Sequence, residues 1–297
     1  MRAPVIDRLV PRDPWDDAPM SLVRTLRILA SQRPSTPPRS VAASGRVDRR
    51  RHGHVPVTWI DPGLAGTATI VHLHGGAYVS GESARTWELL EETARRSGAA
   101  GAMIHYRLAP RHSFPAAVED VLHALDDLTA TTLLRPGRWV LSGDEAGGGL
   151  ALAVAQVLAG SGVSSPAAVL LSSPWADLRG DSDGGDHQRE LRRMAARLYA
   201  GAVPRTEPRL SPVLGDLSAL PPVHLVTGQH DALVEDSRGL DAALTDAGAE
   251  HEYLEVRGGG DQIATSGEGP ATQEARRFLI AAAREAMGLG AAAPAAH

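Results

Sequence analysis

The stretch Leu141-Ser142-Gly143-Asp144-Glu145-Ala146-Gly147-Gly148-Gly149 constrains this chain more than any other. It links an apolar strand-like run, Trp139 to Ser142, to an apolar helix, Ala146 to Leu158, with no loop between them. A strand that bends directly into a helix tolerates only small residues beside the bend, and the strained turn pushes its central side chain out over the sheet. Gly143, Ala146 and Gly147 supply the small residues, and the central side chain is the carboxylate of Glu145.

The rest of the chain alternates around this element. Strands are expected at Val55 to Ile60, Thr69 to Leu73, Ala99 to His105, Ala168 to Leu171, Val223 to Thr227 and Glu252 to Val256. Helices are expected at Trp87 to Arg96, Ala116 to Thr129 and Glu274 to Met287, from apolar residues recurring at helical spacing. Such alternation predicts an α/β fold: a mostly parallel central sheet with helices on both faces. Residues 1–43 read as a separate cap segment, with a helix from Pro14 to Ser31 ended by the Pro/Ser stretch Pro34 to Pro38. Residues 44–288 form the main domain, with 177–208, polar and arginine-rich, as a lid insertion and 289–297 as a flexible tail.

Composition narrows the chemistry. The chain has 297 residues, a formal net charge of -5 and no cysteine; all 30 of its basic side chains are arginine. Thiolate nucleophiles, disulfides and lysine Schiff bases are therefore excluded, and nucleic acid is not an expected partner. No apolar run has the length of a membrane span, and the start lacks the apolar core of a secretory signal, so a cytoplasmic protein is expected. The Ala/Gly/Arg/Pro bias is that of a high-GC bacterial gene.

Five motifs occur in order: His74-Gly75-Gly76-Ala77, Tyr106-Arg107-Leu108-Ala109-Pro110, Phe114-Pro115-Ala116-Ala117, the bend at Glu145, and Gly228-Gln229-His230-Asp231-Ala232-Leu233. Together they resemble the hormone-sensitive-lipase-like branch of the α/β-hydrolase superfamily, from Val55 onward. That branch consists of esterases and lipases with a helical cap built partly from the N-terminus. The resemblance implies an oxyanion hole made by the amides of Gly75, Gly76 and Ala146, with Asp231 as the triad acid. It also places Glu145 where the family has its serine, and Asp261 where it has its histidine. Ser142 lies before the bend, on the strand, and does not restore a nucleophile.

Three acids in one pocket, Glu145, Asp231 and Asp261, would leave at least one protonated near neutrality. The leading expectation is thus a non-hydrolytic acid/base enzyme: a lyase, dehydratase, isomerase or cyclase acting on a small secondary metabolite. Glu145 would be the general acid/base, assisted by Asp261 and Asp231, with the amides stabilising an enolate or alkoxide. A second reading makes Glu145 a carboxylate nucleophile in a hydrolase of epoxide-hydrolase type. A third is an inactive small-molecule binder that keeps the pocket, with the oxyanion motif as inherited backbone. For Glu145 itself the plainer alternative to catalysis is a carboxylate folded back onto the helix N-terminus, filling the oxyanion hole, a place that welcomes anions.

Tyr78 and Trp175 are expected to line the pocket, with packing as the plainer alternative. His74 reads as structural, while His105, His187 and His230 are weak replacement bases. The Arg49-Arg50-Arg51 run reads as a solvated edge. Neither cofactor nor metal is expected, since the acids show no ligand spacing. A homodimer paired through an edge strand follows from the resemblance.

Overall fold

The computed structural model describes residues 32, 37–42, 46–161, 165–180 and 186–290. The expected Pro14 to Ser31 helix and the 289–297 tail from residue 291 onward lie outside these residues. After a helical turn at Arg39–Ala42 the order is β1 (Val47–His52), β2 (Val55–Ile60), β3 (Thr69–Leu73), α1 (Ala84–Ser97), β4 (Ala100–Ile104) and α2 (Ala116–Ala130). There follow β5 (Trp139–Asp144), α3 (Ala146–Ser161), β6 (Val169–Ser172), α4 (Asp186–Ala200), β7 (Val223–Gly228), α5 (Val234–Asp246), β8 (His251–Val256) and α6 (Pro270–Ala286).

The eight strands form one sheet in the order β1-β2-β4-β3-β5-β6-β7-β8. The β1–β2 and β2–β4 pairs are antiparallel, and every pair from β4 to β8 is parallel. The sheet is mostly parallel, as expected, because α1 and α3 carry the chain back across it between strands. Parallel strands buried on both faces read as apolar runs, and β3, β5 and β6 are buried at every position. Their residues alternate between two cores. Val71, Leu73 and Leu141 face α2, α3 and α5, while Ile70 and Val140 face α1 and α6.

Fully burying side chains such as Trp59, Trp87 and Trp139 contributes on the order of 2–3 kcal/mol each, and all three are essentially inaccessible. Helix α3 is buried on nearly all sides, so its many Ala and Gly residues let it seat close to the sheet. Two elements escape the sequence reading. Strand β1 carries Arg49, Arg50 and Arg51 on the sheet's edge, where charge blunts an open strand. Helix α5 has few strong apolar positions, and its burial of Leu240 and Leu244 comes from the sheet beneath.

Strand order reverses its direction of growth between β3 and β5, since β4 lies beyond β3 on one side and β6 beyond β5 on the other. Side chains and ligands meet at the carboxyl ends of strands flanking such a switch point. The His74–Ala77 turn and the Glu145 bend both emerge there.

Candidate active site

The bend is built as its sequence requires. Glu145 sits at φ 50, in the left-handed region. A Cβ on Gly143 would lie 2.2 Å from the Gly147 carbonyl oxygen, and one on Gly147 would lie 2.0 Å from that of Leu73, so neither position accepts a larger residue. The Glu145 backbone is fixed from three sides. Its N–H donates to the Ser172 carbonyl at 3.0 Å, and its own carbonyl accepts from Gly148 N–H at 3.0 Å and Trp175 N–H at 2.8 Å. Such anchoring holds a strained conformation in place.

The Glu145 side chain turns toward the His74–Ala77 loop. Its Oε2 accepts from Gly76 N–H at 2.6 Å and from Ala77 N–H at 3.2 Å. Gly76 (φ 114) and Ala77 (φ 52) are both in the left-handed region, which turns successive amides toward one point. The carboxylate therefore occupies the anion hole of its own chain. Burial raises its pKa; the Gly76 and Ala77 amides and the charge of Arg192 act in the opposite direction, and Asp144 adds to the rise.

The hole differs from the expected one at two positions. Gly75 N–H is engaged by Asp144 Oδ1 at 3.0 Å, and the same oxygen lies 3.0 Å from His72 Nε2, so Gly75 is not available to a ligand. The second donor is Ala77 instead. Ala146 opens helix α3, and its amide makes no hydrogen bond to Glu145. The first difference has a clear cause, the buried Asp144 adjoining the bend, which ties the loop down at Gly75.

Asp231 and Asp261 are brought together beyond β7 and β8. Asp231 is buried and saturated: Oδ2 accepts from Ser173 Oγ at 2.6 Å and Gln262 N–H at 2.7 Å, and Oδ1 from Leu233 N–H at 2.8 Å. Burial raises its pKa against the pull of the Ser173 and Leu233 bonds, and the nearby Asp261 charge adds to the rise. Asp261 is exposed, and among the described residues it accepts only a 3.3 Å bond from Ala232 N–H. Neither acid is hydrogen-bonded to Glu145.

Aromatic rings close over the bend. Tyr78 is stacked on Tyr199 of α4, with centroids 3.7 Å apart, and lies 6.3 Å from Trp175. The Tyr199 hydroxyl and Trp175 Nε1 are buried without a hydrogen-bond partner among the described residues. The sequence reading did not assign roles to Ala77, Asp144, Ser173, Arg192 and Tyr199; of these, Ala77 and Asp144 had a local signal, lying inside the His74–Ala77 and bend motifs. His230 is exposed, and His187's side chain lies outside the described residues. His105 sits away from the bend, against Glu82 and Thr58. No group of three or more His, Asp or Glu side chains among the described residues has the arrangement of a metal site. No helix among them is long and apolar enough to cross a membrane.

The family model for the alpha/beta hydrolase fold matches residues 70–263. An acetyl-hydrolase of Streptomyces hygroscopicus is 39% identical over 207 residues, 66% of this chain and 68% of that protein. A bacterial esterase of the hormone-sensitive lipase family superposes with a TM-score of 0.72 at 32% identity, covering 82% of this chain and 84% of that one. An esterase/lipase from an uncultured bacterium superposes at 0.75 with 28% identity, covering 93% and 94%.

These relatives overturn the expectation of a lyase, dehydratase, isomerase or cyclase, because their names are those of ester hydrolases. The geometry agrees with the correction. A proton carrier must reach a substrate beneath free amides, whereas here the carboxylate itself is bound to the amides. From fold, motif order and these matches, the chain belongs to the α/β-hydrolase family, in its hormone-sensitive-lipase-like branch.

Proposed function

We propose that this protein is a hydrolase of small esters or epoxides in which the Glu145 carboxylate is the covalent nucleophile. One observation carries the reading: Oε2 is already held by Gly76 and Ala77, leaving Oε1 as the attacking atom. Attack on an acyl carbonyl would need the same hole for the substrate's oxygen. Attack at the alkyl carbon does not.

In the first step Oε1 forms a bond to that carbon, and the carbon–oxygen bond to the leaving group breaks with its electron pair. The product is an alkyl ester of Glu145. The Tyr199 hydroxyl, buried beside Tyr78 with no bonded partner among the described residues, is the donor suited to the departing oxygen. In the second step water adds to the Glu145 carboxyl carbon, and negative charge develops on Oε2. That oxygen is then stabilised by the two amides without rearrangement, an effect worth about 3 kcal/mol per donor. Collapse releases the alcohol and restores the carboxylate. Asp261, exposed beside the fully engaged Asp231, is the carboxylate that would take the proton from water.

The test is a single turnover in water labelled with oxygen-18. The proposal expects the label in the Glu145 peptide, with the acid product of an ester unlabelled. Label in the acid alone, or hydrolysis persisting in Glu145→Gln, would refute it.

A second reading, binding without turnover, is favoured by one specific observation: Asp231 is saturated and Asp261 exposed, so neither is bonded to the nucleophile. It expects ligand affinity that does not change across the titration of Glu145, and no labelled peptide with any substrate.

A further inference from the structure

Helix α4 closes over the bend, and its register decides which of its side chains face Glu145. Ala195, Ala196 and Tyr199 are buried in one core with Tyr78 and Trp175. Both of those partners belong to the bend's surroundings: Trp175 N–H donates to the Glu145 carbonyl, and Tyr78 follows Ala77 in the loop that binds Oε2. The end of α4 is fixed in place as well. Phe114 N–H donates to the Tyr199 carbonyl at 2.7 Å, and Ser113 Oγ to that of Leu198 at 3.0 Å.

Arg192 precedes Ala195, Ala196 and Tyr199 by three, four and seven positions, the spacing that puts all four on one face of the helix. It is half-buried, and its Nε is fully buried. Arg193 and Arg197, on other faces of α4, are exposed. The helix thus carries one guanidinium along the stripe that seats on Tyr78.

The remaining groups around Glu145 divide by their effect on its charge. Asp144 stands beside it as a like charge, which opposes ionisation. Tyr78 and Tyr106 are held protonated by burial and bring no countercharge. Asp231 and Asp261, beyond β7 and β8, are not bonded to it. On the other side stand the Gly76 and Ala77 amides and Arg192, whose positive charge favours the ion. No hydrogen bond between Arg192 and Glu145 is needed for this, because charges act over longer distances where water is scarce.

We propose that Arg192 is a positioning residue for the Glu145 nucleophile, the cation that α4 sets over the bend to hold the carboxylate in its reactive, ionised form. The proposal rests on the nucleophilic reading above. Attack at the alkyl carbon takes an electron pair from Oε1, which a protonated carboxyl group gives up far less readily than a carboxylate.

Carbon-13 NMR of protein labelled at glutamate Cδ tests it without turnover, with Glu145→Gln identifying the resonance. Arg192→Gln and Arg192→Met should each move the Glu145 midpoint upward by about half a unit or more. Arg192→Lys, which restores the charge, should move it by clearly less. The acid limb of kcat/KM should follow the midpoint, so that turnover below the limb falls about threefold or more in the neutral variants. An unmoved midpoint in both neutral variants, a lysine shift as large as theirs, or a profile lowered at every pH with its limb in place would each overturn the proposal. Oxygen-18 absent from the wild-type Glu145 peptide would instead sink the nucleophile, and this role of Arg192 with it. Label present with an unmoved midpoint would sink the role of Arg192 alone.

Discussion

Glu145→Gln offers a direct physical contest at the bend. The wild-type carboxylate is buried, which favours its neutral form, yet two amides point at it, which favours its ion. Burial prevails, and the pKa rises. The folded protein then binds this proton more tightly than the unfolded chain. Stability must therefore fall as pH climbs from the ordinary glutamate value through the raised one, and the loss is complete above it. Each unit of elevation corresponds to about 1.4 kcal/mol.

Glutamine keeps an oxygen for Gly76 and Ala77 and has no proton to lose. Denaturant unfolding of both proteins from about pH 4 to about pH 8 gives a difference curve free of every other titrating group, provided the substitution leaves them undisturbed. The wild type should lose stability relative to Glu145→Gln along that range. A relative gain on raising the pH would mean that the amides outweigh burial, and would refute the electrostatic account of the bend.

Four further outcomes are expected. Gly147→Ala places a Cβ 2.0 Å from the Leu73 carbonyl oxygen and 2.5 Å from that of His74; it should destabilise the fold by about 3 kcal/mol or more in thermal unfolding. In the same helix, Gly160 has nothing within 4 Å of a built Cβ, and Gly160→Ala should stabilise by about 0.5–1 kcal/mol. Asp231→Ala strips acceptors from Leu233 and Gln262 amides, an expected loss of about 1–3 kcal/mol by urea unfolding. Burial pushes the Glu82 pKa upward, but the His105 bond and the His74 and His105 charges outweigh it and hold the group at about 2 instead of 4.5. Glu82 should accordingly contribute on the order of 3 kcal/mol above pH ~4.5, lost as pH falls toward ~2, and Glu82→Gln should flatten that acid limb.

The sequence by itself determined the α/β architecture, the bend and its carboxylate. Those features depend on local periodicity and on steric rules that act between near neighbours: Gly143 and Gly147 are required by the turn they flank, whatever packs above. That Asp231 and Asp261 lie in loops after late strands was implied by the resemblance alone, and it is the tertiary structure that brings the two acids close enough to interact. Strand β1 and helix α5 were not legible, since a charged edge and a weakly apolar helix gain their order from the sheet they join. Tertiary structure alone decided which way Glu145 points. That choice is a balance of desolvation against amides contributed by Gly76 and Ala77, about seventy residues away in the chain. The engagement of Gly75 by Asp144 is likewise a long-range juxtaposition. Hydrogen bonds between distant loops leave no periodic mark in a sequence, because their geometry exists only once the sheet has brought the loops together.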